Sequence, residues 1–120
     1  LDSGTRRFLA RLYGTEVDAL FDLVEANPRL AEPVSSRPQA TEIAAQVVFA
    51  VTREAACTLG DVIDRRLIMG TLGSVTEDEI RAVAQVLGEV KGWDAATVES
   101  AVRDEIGRRN AIRDRWYQPR

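Results

Sequence analysis

Apolar residues recur at helical spacing along almost the whole chain. Val17, Leu20, Phe21 and Val24 stand at i, i+3, i+4 and i+7, and Ile80, Val83, Ala84 and Leu87 repeat the pattern. Each set lays one apolar stripe along one face of a helix. No stretch shows the alternation of a half-buried strand. The longest apolar run, "AAQVVFAV", contains Gln46 and fits a buried helix; it is far short of the ~20 residues needed to cross a bilayer. The pattern predicts an all-α chain: a small bundle of about six helices in orthogonal or irregular packing. The helices fall over residues 3–13, 16–26, 42–56, 59–70, 77–91 and 95–117.

Capping residues mark the boundaries. Thr15 precedes "EVD" and can accept from first-turn amides, with Asp18 at the third position. Thr58 with Asp61 and Thr76 with Glu79 repeat that arrangement. Gly92-Trp93-Asp94 reads as a glycine closing one helix and an aspartate opening the next. Asn27-Pro28 ends the second helix, because proline disfavours helical geometry in the residue before it. Residues 28–40 hold three of the four prolines and predict an irregular crossover between helices of one core.

Length and composition narrow the picture. At 120 residues and 45% hydrophobic content, the chain suits one compact domain. It begins at Leu1 with no charged-then-apolar leader, so no signal peptide is expected and the chain reads as a piece of a longer protein. The net charge of −3 offers no general attraction to nucleic acid or acidic lipid. The absence of histidine excludes His-based metal sites and a His general base within these residues. Cys57 is the single cysteine, so there is no internal disulfide, which fits a reducing compartment.

The densest chemistry lies in "REAACTLGDVIDRRLIMG", residues 53–70. Glu54, Asp61 and Asp64 could form an acid–base pair. Capping by Asp61 and solvation of Asp64 are the preferred readings. Arg65-Arg66 could grip a phosphate; preferred instead is a helix-end role for one arginine and an ion pair to Glu54 for the other. Cys57 reads as a small buried side chain, and Trp93 and Trp116 as packing anchors. The C-terminal "GRRNAIRDRWYQPR" carries five arginines against one aspartate and reads as an exposed helical tail, or one folded against a missing domain. A helix-turn-helix near 70–77 is opposed by the acids of "EDEIRAV", which would meet DNA. "GTLGSVT" has neither the GxGxxG nor the GxxxxGK[ST] spacing.

Several of these motifs occur together in one known family. "VVFAVTREAACTLGDVIDRR", with "LYGTE" upstream and "LGEVKGWD" downstream, resembles the C-terminal helical domain of FAD-dependent (aerobic) glycerol-3-phosphate dehydrogenases. In that family a "YG" turn opens the domain. One helix reads approximately "EVxYAVxxExAxT", the next "xxDxxxRRTRL", and "GW" or "NW" before Asp introduces the last. Tyr13-Gly14, Val48-Phe49-Ala50-Val51, Glu54, Thr58, Asp61, Arg65-Arg66 and Gly92-Trp93-Asp94 fall in that order here, so the resemblance spans residues 10–105. The chain departs at Leu67, where the family usually has threonine, and at Arg53, which follows Thr52.

The resemblance implies that residues 1–120 are a single non-catalytic C-terminal accessory domain of a larger flavoprotein. The parent would oxidise sn-glycerol 3-phosphate to dihydroxyacetone phosphate and pass electrons through FAD to a quinone. FAD would be bound upstream, and no catalytic, cofactor-binding or metal-binding residue is expected in these residues. Glu54, Thr58, Asp61, Arg65, Arg66, Trp93 and Asp94 would be structural: Thr58 and Asp61 start a helix, and Glu54 ties it through Arg65 or Arg66 to the helix before. The implied partner is the upstream catalytic domain of the same chain, with homo-oligomer formation left open and no nucleic acid. The implied location is cytoplasmic, including peripheral placement on the inner face of the cytoplasmic membrane. The rival reading is an independent helical nucleic-acid-binding or regulatory module, supported by the basic tail and the helix junction near 70 and opposed by the net charge.

Overall fold

The computed structural model describes residues 1–34, 42–53, 58–66 and 75–116, and the side chains of 65, 66, 113, 114 and 116 lie outside that description. Among the described residues the regular structure is helical, with no strand and one isolated antiparallel bridge, Pro33 to Ile43. Helix α1 (Ser3–Tyr13) and α2 (Val17–Ala26) are joined by a 3₁₀ turn, Gly14–Glu16. A second 3₁₀ turn, Pro28–Ala31, leads towards α3 (Ala44–Arg53). A short helical turn, α4 (Leu59–Asp61), runs on into a π-helical turn, Val62–Arg66. Then come α5 (Glu77–Lys91) and α6 (Ala95–Trp116).

Local chemistry sets most of these ends. Asp2 caps α1 by accepting from the Thr5 N–H at 2.7 Å. Thr76 and Glu79 form a full capping box at α5: Thr76 Oγ1 accepts from the Glu79 N–H, and Glu79 Oε1 accepts from the Thr76 N–H. That bond satisfies one carboxylate oxygen of a nearly fully buried glutamate. Gly92 closes α5 in the left-handed region at φ 74°, where a Cβ would be strained. The N–H groups of Gly92 and Trp93 both donate to the Gly88 carbonyl.

Three expectations change. Thr15 does not cap α2. A cap needs an extended residue, whereas Glu16 before the helix is already helical in conformation and makes no side-chain cap bond. Helix α3 starts at Ala44, not residue 42, because the backbone there is paired with the crossover. The Val34 N–H donates to the Glu42 carbonyl, and the Ala44 N–H donates to the Glu32 carbonyl. The helix expected over 59–70 is α-helical only to Asp61 before widening into the π turn. Residues 54–56, 67–70 and 117 of the expected helices lie outside the described residues.

Helix α3 contacts two apolar clusters. Ala44, Val47 and Ala50 join Val62, Ile63 and the inward residues of α5 in one. Ala45 and Phe49 join Leu9 of α1, Leu20 of α2 and Ile43 in the other. Tyr13 meets Phe49 edge to face, with ring centroids 5.1 Å apart, and so ties the α1–α2 turn to α3. Gln46 is fully buried; its Oε1 accepts from the Ile43 N–H at 2.8 Å, and its Nε2 has no partner among the described residues. On its other side α5 packs against α6, where Val98, Ala101, Val102 and Ile106 face it. No helix among the described residues is long and apolar enough to cross a membrane.

The α5–α6 crossing depends on Gly88. A Cβ there would lie 2.8 Å from Val98 Cγ2 and 3.6 Å from Trp93 Cβ. Val98 is β-branched and cannot swing away freely. Gly88→Ala gains ~1 kcal/mol of helix propensity but incurs ~1–3 kcal/mol of overpacking. We expect net destabilisation, read as a lower midpoint in urea unfolding; an unchanged or raised midpoint would show that the crossing has slack.

Candidate functional site

Three of the motif residues, Thr58, Asp61 and Trp93, border a groove between α4 with its π turn and α6. Its volume is about 570 Å³, and Thr58, Leu59, Gly60, Asp61 and Asp64 form one wall. Ala101, Asp104, Glu105 and Arg108 of α6 form the other, with half-buried Trp93 also lining it. Trp93 also borders a shallower hollow of about 390 Å³ along Asp94, Thr97, Ser100 and Asp104.

Each wall is fixed by a cap. Thr58 is extended and its hydroxyl accepts from the Asp61 N–H at 3.0 Å, which starts α4. Asp94 accepts from the Thr97 N–H at 2.7 Å, which starts α6. The bonds from Thr97 hold the Asp94 carboxyl below its ordinary value.

Between the walls lies a four-residue ionic clamp. Arg108 donates to Asp64 Oδ2 at 2.8 Å and, through Nε, to Glu105 Oε1 at 3.1 Å. Arg109 pairs with Asp64 Oδ1 and, with Nε at 2.9 Å, with Glu105 Oε1. The Arg109 Nε contact satisfies the ion-pair distance but not hydrogen-bond geometry, so it is a Coulombic contact. Glu105 is only 6% exposed, whereas Asp64 is 39% exposed. The hydrogen bond to Glu105, more than that to Asp64, pushes the Arg108 guanidinium above its ordinary value despite the opposing effect of burial. Gly60 lets α4 sit over this clamp: a Cβ there would fall 2.9 Å from Glu105 Oε2.

The clamp corrects one reading from the sequence and adds to another. Asp64 is not simply solvated, since both its oxygens are bonded to arginines of α6. The arginine-rich C-terminal segment is helical to Trp116 and exposed at residues 110–112 and 115, with Arg108 and Arg109 engaged at its start. The i, i+3 and i, i+4 spacing of Glu105 with these arginines was legible locally; Asp64, which lies 44 residues from Arg108, was not.

Of the other sequence-singled residues, Glu54 and Cys57 lie outside the described residues, as do the side chains of Arg65, Arg66 and Trp116. A tie from Glu54 to Arg65 or Arg66 is therefore a proposal.

Chemically, the groove is an ion-paired seam. Glu105 and Asp64 are engaged by guanidinium groups that do not give up a proton near neutral pH. Among the described residues no three His, Cys, Asp or Glu side chains are grouped to hold a metal ion. Nor do the described residues fit a dinucleotide: FAD folds cradle the pyrophosphate at a strand–glycine turn–helix junction, and no strand is present among them.

The helical fold with its clamped groove is a domain class that comparison places. Residues 1–98 match the family described as the C-terminal domain of alpha-glycerophosphate oxidase, and the chain belongs to that family. It is 32% identical over 109 residues to a glycerol-3-phosphate dehydrogenase of Synechocystis sp., a match covering 86% of this chain and 19% of that protein. It is 28% identical over 103 residues to glycerol-3-phosphate dehydrogenase 2 of Mycobacterium bovis and of Mycobacterium tuberculosis, covering 85% of this chain and 17% of each. The chain thus spans less than a fifth of the length of these relatives, in their C-terminal part. No solved structure matches it.

Two predictions follow from the site's energetics. Glu105→Ala leaves two arginines beside an emptied, largely buried position and should cost about 3 kcal/mol. Asp64→Ala, on the exposed side, should cost about 1 kcal/mol or less. Urea unfolding of both variants checks the order, and an equal or inverted cost would move the centre of the clamp to Asp64. The second prediction concerns pH. Because the folded carboxyl of Asp94 lies below its ordinary value of 3.8, its contribution is complete above that value and is lost as pH falls through the lowered folded one. Asp94→Asn should keep the cap and flatten this part of the acid limb in a melting-temperature profile. Asp94→Ala should lower the melting temperature at neutral pH.

Proposed function

We propose that residues 1–120 are a non-catalytic helical C-terminal domain of an FAD-dependent glycerol-3-phosphate dehydrogenase. The observation that carries this reading is the match, across nearly all of the chain, to the C-terminal part of proteins with that name. Upstream sequence would hold the flavin and the substrate. The flavin would supply the two-electron oxidation of sn-glycerol 3-phosphate to dihydroxyacetone phosphate, in which hydride and the hydroxyl proton both leave the substrate, and a quinone would take up the electrons. The residues described here would shape and steady a surface against which that catalytic part packs. Their carboxylates support this division of labour. Asp94 is a helix cap, Glu79 completes a capping box, and Asp64 and Glu105 are bonded to arginines.

Against the rival nucleic-acid reading, two of the tail's five arginines, Arg108 and Arg109, pair with Asp64 and Glu105.

The test is spectroscopic. The full-length chain should carry a flavin absorbance that bleaches on addition of sn-glycerol 3-phosphate. Residues 1–120 alone should be helical by circular dichroism, colourless and without turnover. A full-length protein devoid of flavin would overturn the parent assignment, and turnover by the 120-residue piece would overturn the non-catalytic one.

A further inference from the structure

Helix α1 is held from one side. Leu9 is its buried residue, Tyr13 and Phe8 are half-buried, and its neighbours are α2 and the Gly14–Glu16 turn. A second apolar line runs along its flank. At 100° per residue, Phe8 and Leu12 fall on one edge of the helix, and Leu1 stands just ahead of the helix, before its cap Asp2. Leu12 is 47% exposed and Leu1 36%, so Leu12 is the most exposed large apolar side chain among the described residues. Arg7 and Arg11 are exposed on the adjoining strip, and neither has a carboxylate partner among the described residues. Arg6, by contrast, lies over the Phe21 ring, and Arg81 and Arg108 are ion-paired.

We propose that this flank, with Phe8 and Leu12 at its centre and Arg7 and Arg11 at its rim, docks onto the upstream catalytic part of the same chain. The inference rests on the function proposed above and names where that part packs. An apolar centre edged by arginine is the usual anatomy of a protein–protein contact. Connectivity selects the occupant: in the relatives the greater part of the chain lies outside the matched C-terminal stretch, and upstream sequence would lead directly into α1, the helix that carries this flank. A covalently attached partner acts at an effective concentration of order mM, so even a modest apolar strip suffices to hold it. The matching surface upstream would be apolar and bordered by carboxylates that meet Arg7 and Arg11.

The test uses the full-length chain with Leu12 replaced by the photo-crosslinker p-benzoylphenylalanine, and with Ile112, 44% exposed near the far end of α6, replaced as the control. Irradiation of an equal mixture of isotope-labelled and unlabelled protein should join position 12 to peptides upstream of Leu1 in isotopically uniform adducts. Position 112 should give no such adducts. A companion variant, Leu12→Glu, should speed proteolytic release of the domain roughly tenfold, as loss of one packed apolar anchor does; Ile112→Glu should leave the rate unchanged. Isotopically mixed adducts would identify a second copy as the occupant and overturn the proposal, and so would the absence of any upstream adduct. The flavin spectrum of the same samples separates the two readings. Flavin that bleaches with substrate but no upstream adduct removes the docking face alone; upstream adducts without flavin keep the docking face and remove the dehydrogenase assignment.

Discussion

Burial of α3 on more than one face is the constraint around which the described helices arrange themselves. Its sequence, "AAQVVFAVTR", puts Ala44, Val47 and Ala50 towards one cluster and Ala45 and Phe49 towards another. A helix apolar on both sides cannot lie on a surface; it needs cover on each. The α1–α2 pair supplies one cover through Leu9, Leu20 and Tyr13, and α5 with the π turn supplies the other. Gln46 shows what full burial demands, because its carbonyl is used on the Ile43 N–H at the helix's own start.

Elements whose signals are local were legible in the sequence. The helices expected over 3–13 and 77–91 are found at those residues. Thr76 with Glu79 and Gly92 with Asp94 act within a few residues of themselves, so their roles could be read without knowing the fold. What escaped depends on distant partners or on backbone geometry. The start of α3 is displaced by hydrogen bonds to residues 32 and 34. Thr15 has the right chemistry for a cap but sits in a 3₁₀ turn that leaves no extended residue to carry it. The π turn at 62–66 has no compositional mark.

The candidate site shows the same division more sharply. Thr58, Asp61, Trp93 and Asp94 could be singled out individually, but nothing in their spacing said that Thr58, Asp61 and Trp93 border one groove. The strongest electrostatic feature, Glu105 between Arg108 and Arg109 with Asp64 opposite, lay in a segment that looked merely basic. Charge counted along a chain measures attraction to solvent and ligands only when the charges are unpaired. Folding brought Asp64 to that segment, and two of its five arginines became ion-paired.

Along α6 the fixings are graded. Asp94 caps its start, Val98 fills the space over Gly88, and the Glu105 clamp fastens it to α4 and the π turn. From Asp94 to Arg109 is ~22 Å at 1.5 Å per residue, and three different kinds of contact act at different points along it. A cap resists fraying, a close van der Waals contact resists sliding, and an ion-pair seam resists rotation about the axis. Beyond Arg109 none of these continues among the described residues, and Ile112 is exposed. On the proposed reading, the flavin and the substrate sit elsewhere in the protein and this domain's contribution is a surface of fixed shape. A helix secured in three ways, with Glu105 already held between two arginines, is suited to that task.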